Sequence, residues 1–219
     1  MKMDNTKKIA IYGAGGFGKE VACILEKINQ IKPTWEFVGF FDDGKERGME
    51  ITGFGVVLGD LHTLNQWPEN IHICFAVGNP SILKKLVTAI VNPHVIYPNI
   101  IHPDAFFAHP KSFKIGKGNV IVRGCSFSCD VEIGDFNQFN SISALAHDVK
   151  VGSFNVFMPL TRISGECTIG DCNFFGIGSV VLQGFKIGNN TRIGAGSYVM
   201  SNTKDGFLHY GNPARKVDL

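Results

Sequence analysis

From Ile115 onward every sixth residue is apolar: Ile115, Ile121, Phe127, Ile133, Phe139, Leu145, Val151, Phe157, Ile163, Ile169, Phe175, Val181, Ile187, Ile193 and Val199. Against a 44% hydrophobic background, an unbroken run of fifteen arises by chance roughly a few times in a million. A period of six matches neither the turn of an α-helix nor the alternation of a long strand. It fits short strands separated by corners, stacked as a parallel β-helix. Gly116, Gly134, Gly152, Gly170 and Gly188 recur every eighteen residues, each after a β-branched residue, so three hexads make one turn. Asn119, Asn137, Asn155 and Asn173 share that interval, which predicts a ladder of side-chain amides. Small residues follow many apolar positions by four, among them Cys125, Ser143, Thr161, Cys167, Ser179, Thr191 and Ser197. Cys125 and Cys167 thereby acquire a packing role. Upstream, Ile101, Phe107 and Phe113 form an opening coil with two extra residues before Ile115, and a small bulge is expected there.

Residues 1–95 have a different character. Ile9 to Tyr12 reads as a buried strand, followed by Gly13-Ala14-Gly15-Gly16-Phe17-Gly18 and an amphipathic run through Asn29. That order is strand, glycine turn, helix, and its G-x-G-x-x-G spacing lets backbone N–H groups approach a diphosphate at a helix N-terminus. Phe37 to Phe41 reads as the next strand and ends in Asp42-Asp43, where a carboxylate either takes a ribose hydroxyl or base N–H or simply ends the strand in solvent. Cys74 to Val77 is a third strand, closed by Gly78-Asn79-Pro80 and followed by one more helix. There is room for one mononucleotide-binding half, which disfavours a full dinucleotide site. The expected organisation is an α/β Rossmann-like half domain over 1–95, then an all-β domain of hexapeptide repeats with a C-terminal tail over 96–219.

A net charge of +2, with 18% charged residues, gives no reason to expect a nucleic-acid or membrane-surface partner. The polar start, Met1 to Lys8, leads into only four apolar residues, far short of a signal core or a membrane span, so a cytoplasmic location is expected. Six cysteines with closest spacings C-x3-C and C-x4-C lack the knuckles of a zinc site; reduced thiols and no metal are expected.

The stretch GAGGFGKEV, a strand ending in FDD, a VGNP turn and hexapeptide repeats carrying Ala146-His147-Asp148 together resemble the hexapeptide-repeat sugar acyltransferases of the sialic-acid O-acetyltransferase and bacillosamine-pathway N-acetyltransferase group. The resemblance spans nearly the whole chain. It implies that the β-helix is left-handed, against the right-handed rule for parallel crossovers. It also implies acetyl-CoA as acyl donor, a UDP- or dTDP-linked 4-amino-4,6-dideoxy sugar as acceptor, and a homotrimer with active sites between subunits. Carried over residue by residue, the general base falls on His147 and its acidic neighbour on Asp148, where relatives often have glutamate. Asp148 either supports the imidazole, or simply caps the turn or pairs with Lys150. Acetyl-CoA contacts fall on Val156, Ile177 and Ala195, and Arg192, Lys204, Arg215 and Lys216 are candidates for its phosphates. Nucleotide-sugar contacts fall on Gly15, Gly16, Phe17, Asp42 and Asp43, with Gly78 and Asn79 nearby. Phe17 departs from the pattern, since several relatives place a histidine there. Two other functions fit the same features: sugar O-acetylation of the sialic-acid type, and a non-catalytic trimeric scaffold that senses a nucleotide.

Overall fold

The computed structural model describes residues 6–217. The N-terminal unit is a sheet in the order β3-β4-β2-β1-β5-β6, formed by β1 (Lys7–Tyr12), β2 (Trp35–Phe41), β3 (Glu50–Ile51), β4 (Gly55–Gly59), β5 (Ile71–Phe75) and β6 (Val95–Ile96). All neighbours run parallel except β3 and β4. The helices are α1 (Gly16–Ile31), α2 (Leu61–Asn65) and α3 (Pro80–Ala89). Helix α1 buries Gly18, Val21, Ala22, Ile24 and Leu25, a stripe at helical spacing that packs on β1 and β2. Asp60 caps α2 by accepting from the Thr63 N–H, and Asn79 caps α3 by accepting from the Ser81 and Ile82 N–H groups, with Pro80 in the first turn. Trp35 and Trp67 pack into this unit, edge-on to His72 and Phe41. The strand expected from Cys74 begins earlier, at Ile71, and β3, β4 and α2 fill a region that the sequence reading left without elements.

From Ile100 the chain winds as a left-handed parallel β-helix of two-residue strands. Every third strand pairs in register, as in Gln138↔Val156, Ala144↔Arg162 and Lys150↔Thr168, and the three resulting sheets are the faces of a triangular prism. The hexad residues from Ile121 to Val199 are all buried in one cluster, with Ile115 packed partly against it. Phe139, Phe157 and Phe175 stack at centroid distances of 4.5 and 4.7 Å. The corners take left-handed backbone every six residues, at Asp130, Phe136, Ile142, Asp148, Phe154, Leu160, Glu166 and Cys172. The two extra residues before Ile115 do not bulge a strand: they lengthen the corner between Phe107 and Lys114, and the ladder on either side keeps its register.

Two polar columns hold the coils together. The Oδ1 atoms of Asn119, Asn137 and Asn155 accept from the backbone N–H of the next asparagine at 2.8–2.9 Å, and Asn173 does the same for Thr191 at 2.7 Å. The second column was not foreseen: Asp135, Ser153, Asp171 and Asn189 accept from backbone N–H groups one coil earlier, at 2.7–3.0 Å. It explains the eighteen-residue glycine period. A Cβ on Gly134 would lie 2.6 Å from the Ser153 Oγ and 2.7 Å from the Gly152 carbonyl. Cys125 and Cys167 donate from their thiols to the carbonyls of Asn140 and Leu182, at 3.2 and 3.1 Å.

The N-terminal unit docks on the prism face that contains Ile100, Val120 and Gln138. Ile100, Val120 and Val122 join the core around α1, while Phe136 meets Phe75 and Tyr97. Gln138 donates from Nε2 to the Phe75 carbonyl at 3.1 Å.

Candidate active site

The glycine turn divides by physical role. Gly13 has φ +110°, and a Cβ there would strike the Ala76 carbonyl at 2.6 Å; Gly18 is pressed against the Gly13 carbonyl. These two glycines are required by the turn and by close helix–strand packing. Gly15 and Gly16 are not: Gly15 has φ −87°, and nothing lies within 4 Å of a Cβ built on either. Their backbone is open at the N-terminus of α1, whose cap makes no side-chain hydrogen bond and whose first N–H groups lack intrahelical partners.

Asp42 and Asp43 stand at the end of β2 beside this turn. Asp42 accepts from the Ala14 N–H through Oδ2 and from the Gly44 N–H through Oδ1. Asp43 Oδ1 accepts from the Tyr12 hydroxyl at 2.7 Å and the Leu61 N–H at 2.9 Å. Burial and then the Asp43 hydrogen bond push the Tyr12 phenol well above its usual range. Asp42 therefore braces the glycine turn, and Asp43 ties the Tyr12 hydroxyl to the start of α2.

Phe17 lines a cleft of about 290 Å³ between the two units, together with Glu20, Gly78, Gln138, Asn140 and Met158. Asn79 is committed to capping α3. Gln138, Asn140 and Met158 were missed in the sequence. A signal for Gln138 was present: it is a polar residue at a strand position that valine fills in the coils before and after, at Val120 and Val156. Gln138 is 1% exposed, and its Oε1 has no hydrogen-bond partner.

A second cleft of about 300 Å³ lies further along the prism, lined by Met158, Phe174, Gly176, Ile177, Arg192 and Ala195 among others. Met158 belongs to both clefts. The second cleft is largely apolar, and the Arg192 guanidinium lies 5.1 Å from the centre of the Phe174 ring. A pantetheine arm and a phosphate are suited to such a surface. Ile177 and Ala195 are thus brought together. Val156 is not brought to this cleft: its side chain is wholly buried and its N–H donates to the Asn173 carbonyl. Lys216 lies 4.0 Å above the Phe207 ring.

His147 and Asp148 occupy the corner after the Ala144–Leu145 strand. Asp148 takes the left-handed conformation, φ 59°, and its Oδ2 lies 2.8 Å from Nδ1 of His147. A carboxylate only accepts, so Nδ1 carries a proton, and in the neutral ring Nε2 is then the nitrogen that presents a lone pair. The ring is half exposed. This corner joins the second and third prism faces, whereas Ile177 and Ala195 stand at the corner joining the first and second. Within one chain the imidazole and the apolar cleft therefore sit on different edges. Along the cleft's own edge Ile142, Leu160 and Ile177 are about half exposed.

Cys23 and Cys129 are exposed, and Cys74, Cys125, Cys167 and Cys172 are buried and unpaired. Burial pushes the Cys74 thiol up to about 12 and the Cys125 thiol up to about 11. Among the described residues no three or more His, Cys, Asp or Glu side chains gather as metal ligands, and no helix is long and apolar enough to cross a membrane.

The PglD N-terminal domain family matches residues 8–90, and the bacterial transferase hexapeptide family, six repeats, matches residues 166–201. No curated protein sequence gives a significant match. The acetyltransferase domain of PglB from Neisseria gonorrhoeae is similar in structure, with a TM-score of 0.87 and 28% identity over 97% of this chain and 100% of that one. The same domain is also solved in complex with acetyl coenzyme A. A GDP-perosamine N-acetyltransferase from Caulobacter crescentus, with one histidine replaced by alanine and in complex with CoA and GDP-perosamine, has a TM-score of 0.83 and 27% identity over 96% of this chain and 97% of that one. WeeI from Acinetobacter baumannii has a TM-score of 0.84 and 27% identity over 97% of this chain and 100% of its own. With a PglD N-terminal domain followed by bacterial transferase hexapeptide repeats, the chain fits the nucleotide-sugar N-acetyltransferases and is an acyltransferase.

Proposed function

We propose that this acyltransferase is a cytoplasmic homotrimer that transfers the acetyl group of acetyl-CoA to the amine of a UDP- or dTDP-linked 4-amino-4,6-dideoxy sugar of the bacillosamine type. The observation that carries the proposal is the His147–Asp148 pair at 2.8 Å, set on one prism edge while the apolar cleft lies on another. A second copy that brings its cleft edge against the His147 edge completes the site. The exposed apolar strip of Ile142, Leu160 and Ile177 supports such packing.

In the reaction the sugar nitrogen attacks the thioester carbonyl and a C–N bond forms. His147 Nε2 takes the proton released from nitrogen, and Asp148 stabilises the imidazolium. The tetrahedral intermediate collapses, the C–S bond breaks, and the imidazolium returns the proton to the departing thiolate, leaving an N-acetyl sugar and CoA. The open backbone at Gly15 and Gly16 and the ring of Phe17 hold the nucleotide-sugar diphosphate end, with Asp42 bracing the turn and Asp42 and Asp43 reaching ribose or base. Ile177 and Ala195 grip the pantetheine arm, and Val156 supports that face from beneath. The N-acetyltransferase neighbour crystallised with CoA and GDP-perosamine supports a nucleotide-linked amino sugar as acceptor.

The test is thiol release from acetyl-CoA with a panel of UDP-, dTDP- and GDP-linked 4-amino sugars and free sialic acids. Turnover on a nucleotide-linked amino sugar is expected. Turnover confined to sialic acids would establish the O-acetyl function instead, and none with any acceptor would favour the non-catalytic scaffold.

A further inference from the structure

We propose that Gly165 is a positioning residue for the imidazole of His147, an inference that rests on the base role assigned above. The two residues hold equivalent corner positions one turn apart. A Cβ on Gly165 would lie 2.6 Å from both Cε1 and Nε2 of His147 and 3.1 Å from Nδ1. The three atoms nearest to that Cβ position all belong to the ring, so the imidazole lies across bare backbone.

The backbone conformation of the position does not ask for glycine. The left-handed residues in this corner column are Asp130, Asp148, Glu166 and Gly184, and Gly165 is not among the positive-φ residues. The corner is already fixed by hydrogen bonds from the Glu166 N–H to the His147 carbonyl and from the Gly184 N–H to the Gly165 carbonyl, each 2.9 Å. The His147 ring accounts for the missing side chain.

The ring is thus located by two contacts: the Asp148 carboxylate at Nδ1 and the Gly165 backbone beneath Nε2 and Cε1. Alanine at 165 suits the backbone but forces the ring away by about 0.8 Å to reach ordinary contact at 3.4 Å. A displacement of that size at the atom that takes the proton costs about tenfold to a hundredfold in rate.

The test is a cycle of Gly165→Ala, His147→Ala and the double variant, read by turnover, by thermal stability, and by the NMR resonance of the His147 Cε1–H. Gly165→Ala is expected to lower kcat about tenfold or more with the KM for both substrates little changed, and to shift the ring resonance. It is expected to lower the melting temperature of the wild-type chain but not that of His147→Ala, where no ring remains to collide. Unchanged kcat with an unmoved resonance overturns the proposal. So does an equal loss of stability or rate in both backgrounds, because the residue would then act on something other than the ring. Full turnover by His147→Ala removes the base role, and the resonance and stability arms then decide Gly165 alone.

Discussion

His147 depends on its neighbours for its chemistry. Asp148 bonds Nδ1 at 2.8 Å, which leaves Nε2 as the only nitrogen able to accept a proton. His147→Asn is expected to lower turnover by about 10²- to 10⁴-fold while assembly and nucleotide binding persist; steady-state kinetics beside sedimentation and calorimetry check this, and unchanged turnover contradicts the base role. Asp148→Asn is expected to give a smaller loss, since the ring survives without its orienting charge. The glycine turn supplies a sharper contrast. Gly15→Ala and Gly16→Ala have room and no positive φ to violate, so stability should change by less than about 1 kcal/mol while the KM for the nucleotide sugar rises. Gly13→Ala and Gly18→Ala should instead unfold at clearly lower denaturant, because each meets a carbonyl. The glycine turn was legible in the sequence because it is a short motif. Gly165 was not, because it acquires meaning only from the His147 ring eighteen residues earlier, and the break in the valine column at Gln138 does not announce the Phe75 carbonyl that it meets.

A coil repeats its physics, so the β-helix was the most readable element. One inward residue per strand, with a corner every six, leaves a periodic trace that survives without any tertiary information. The asparagine column was legible for the same reason, although its principal acceptors serve backbone N–H groups as well as neighbouring amides. The Asp135, Ser153, Asp171 and Asn189 column escaped notice because three residue types do one job. Asn137→Ala removes bonds to Asn119 and to the Gly152 carbonyl from a site with no exposure, and a loss of about 2 to 4 kcal/mol is expected in urea unfolding. Gly134→Ala is expected to cost about 1 to 3 kcal/mol by overpacking, although alanine has the better intrinsic propensity. In the N-terminal unit β3, β4 and α2 left little trace, since elements of two to five residues bounded by glycines carry too few periods to register. The thiols form a gradient that alkylation can read. Cys23 and Cys129 should react with iodoacetamide in the folded protein, whereas Cys74 and Cys125, buried and with raised pKa, should react only after unfolding.

At the scale of the molecule, three prism edges do three jobs. One edge, at Phe136 and Phe154, runs beside the N-terminal unit, with the Phe136 ring packed against Phe75 and Lys84 above Phe154. A second carries the apolar strip and the cleft of Ile177 and Ala195, and the third carries His147. Under the proposed function, base and cleft lie on different edges, so copies of the chain must associate in order to react. Leu160→Glu, on the apolar strip and half exposed, is therefore expected to reduce the assembly to lower mass in sedimentation and to lose turnover together with it, while circular dichroism stays unchanged. The most direct measurement of this division is subunit complementation. His147→Asn lacks the base and keeps the cleft; Ala195→Trp, at an exposed position, blocks the cleft and keeps the base. Each variant alone should be inactive. Unfolded, mixed and refolded together, they should regain a substantial fraction of wild-type turnover, because some interfaces then pair an intact imidazole with an open cleft. Mixed assemblies that form and remain as inactive as the parents would contradict a site shared between copies.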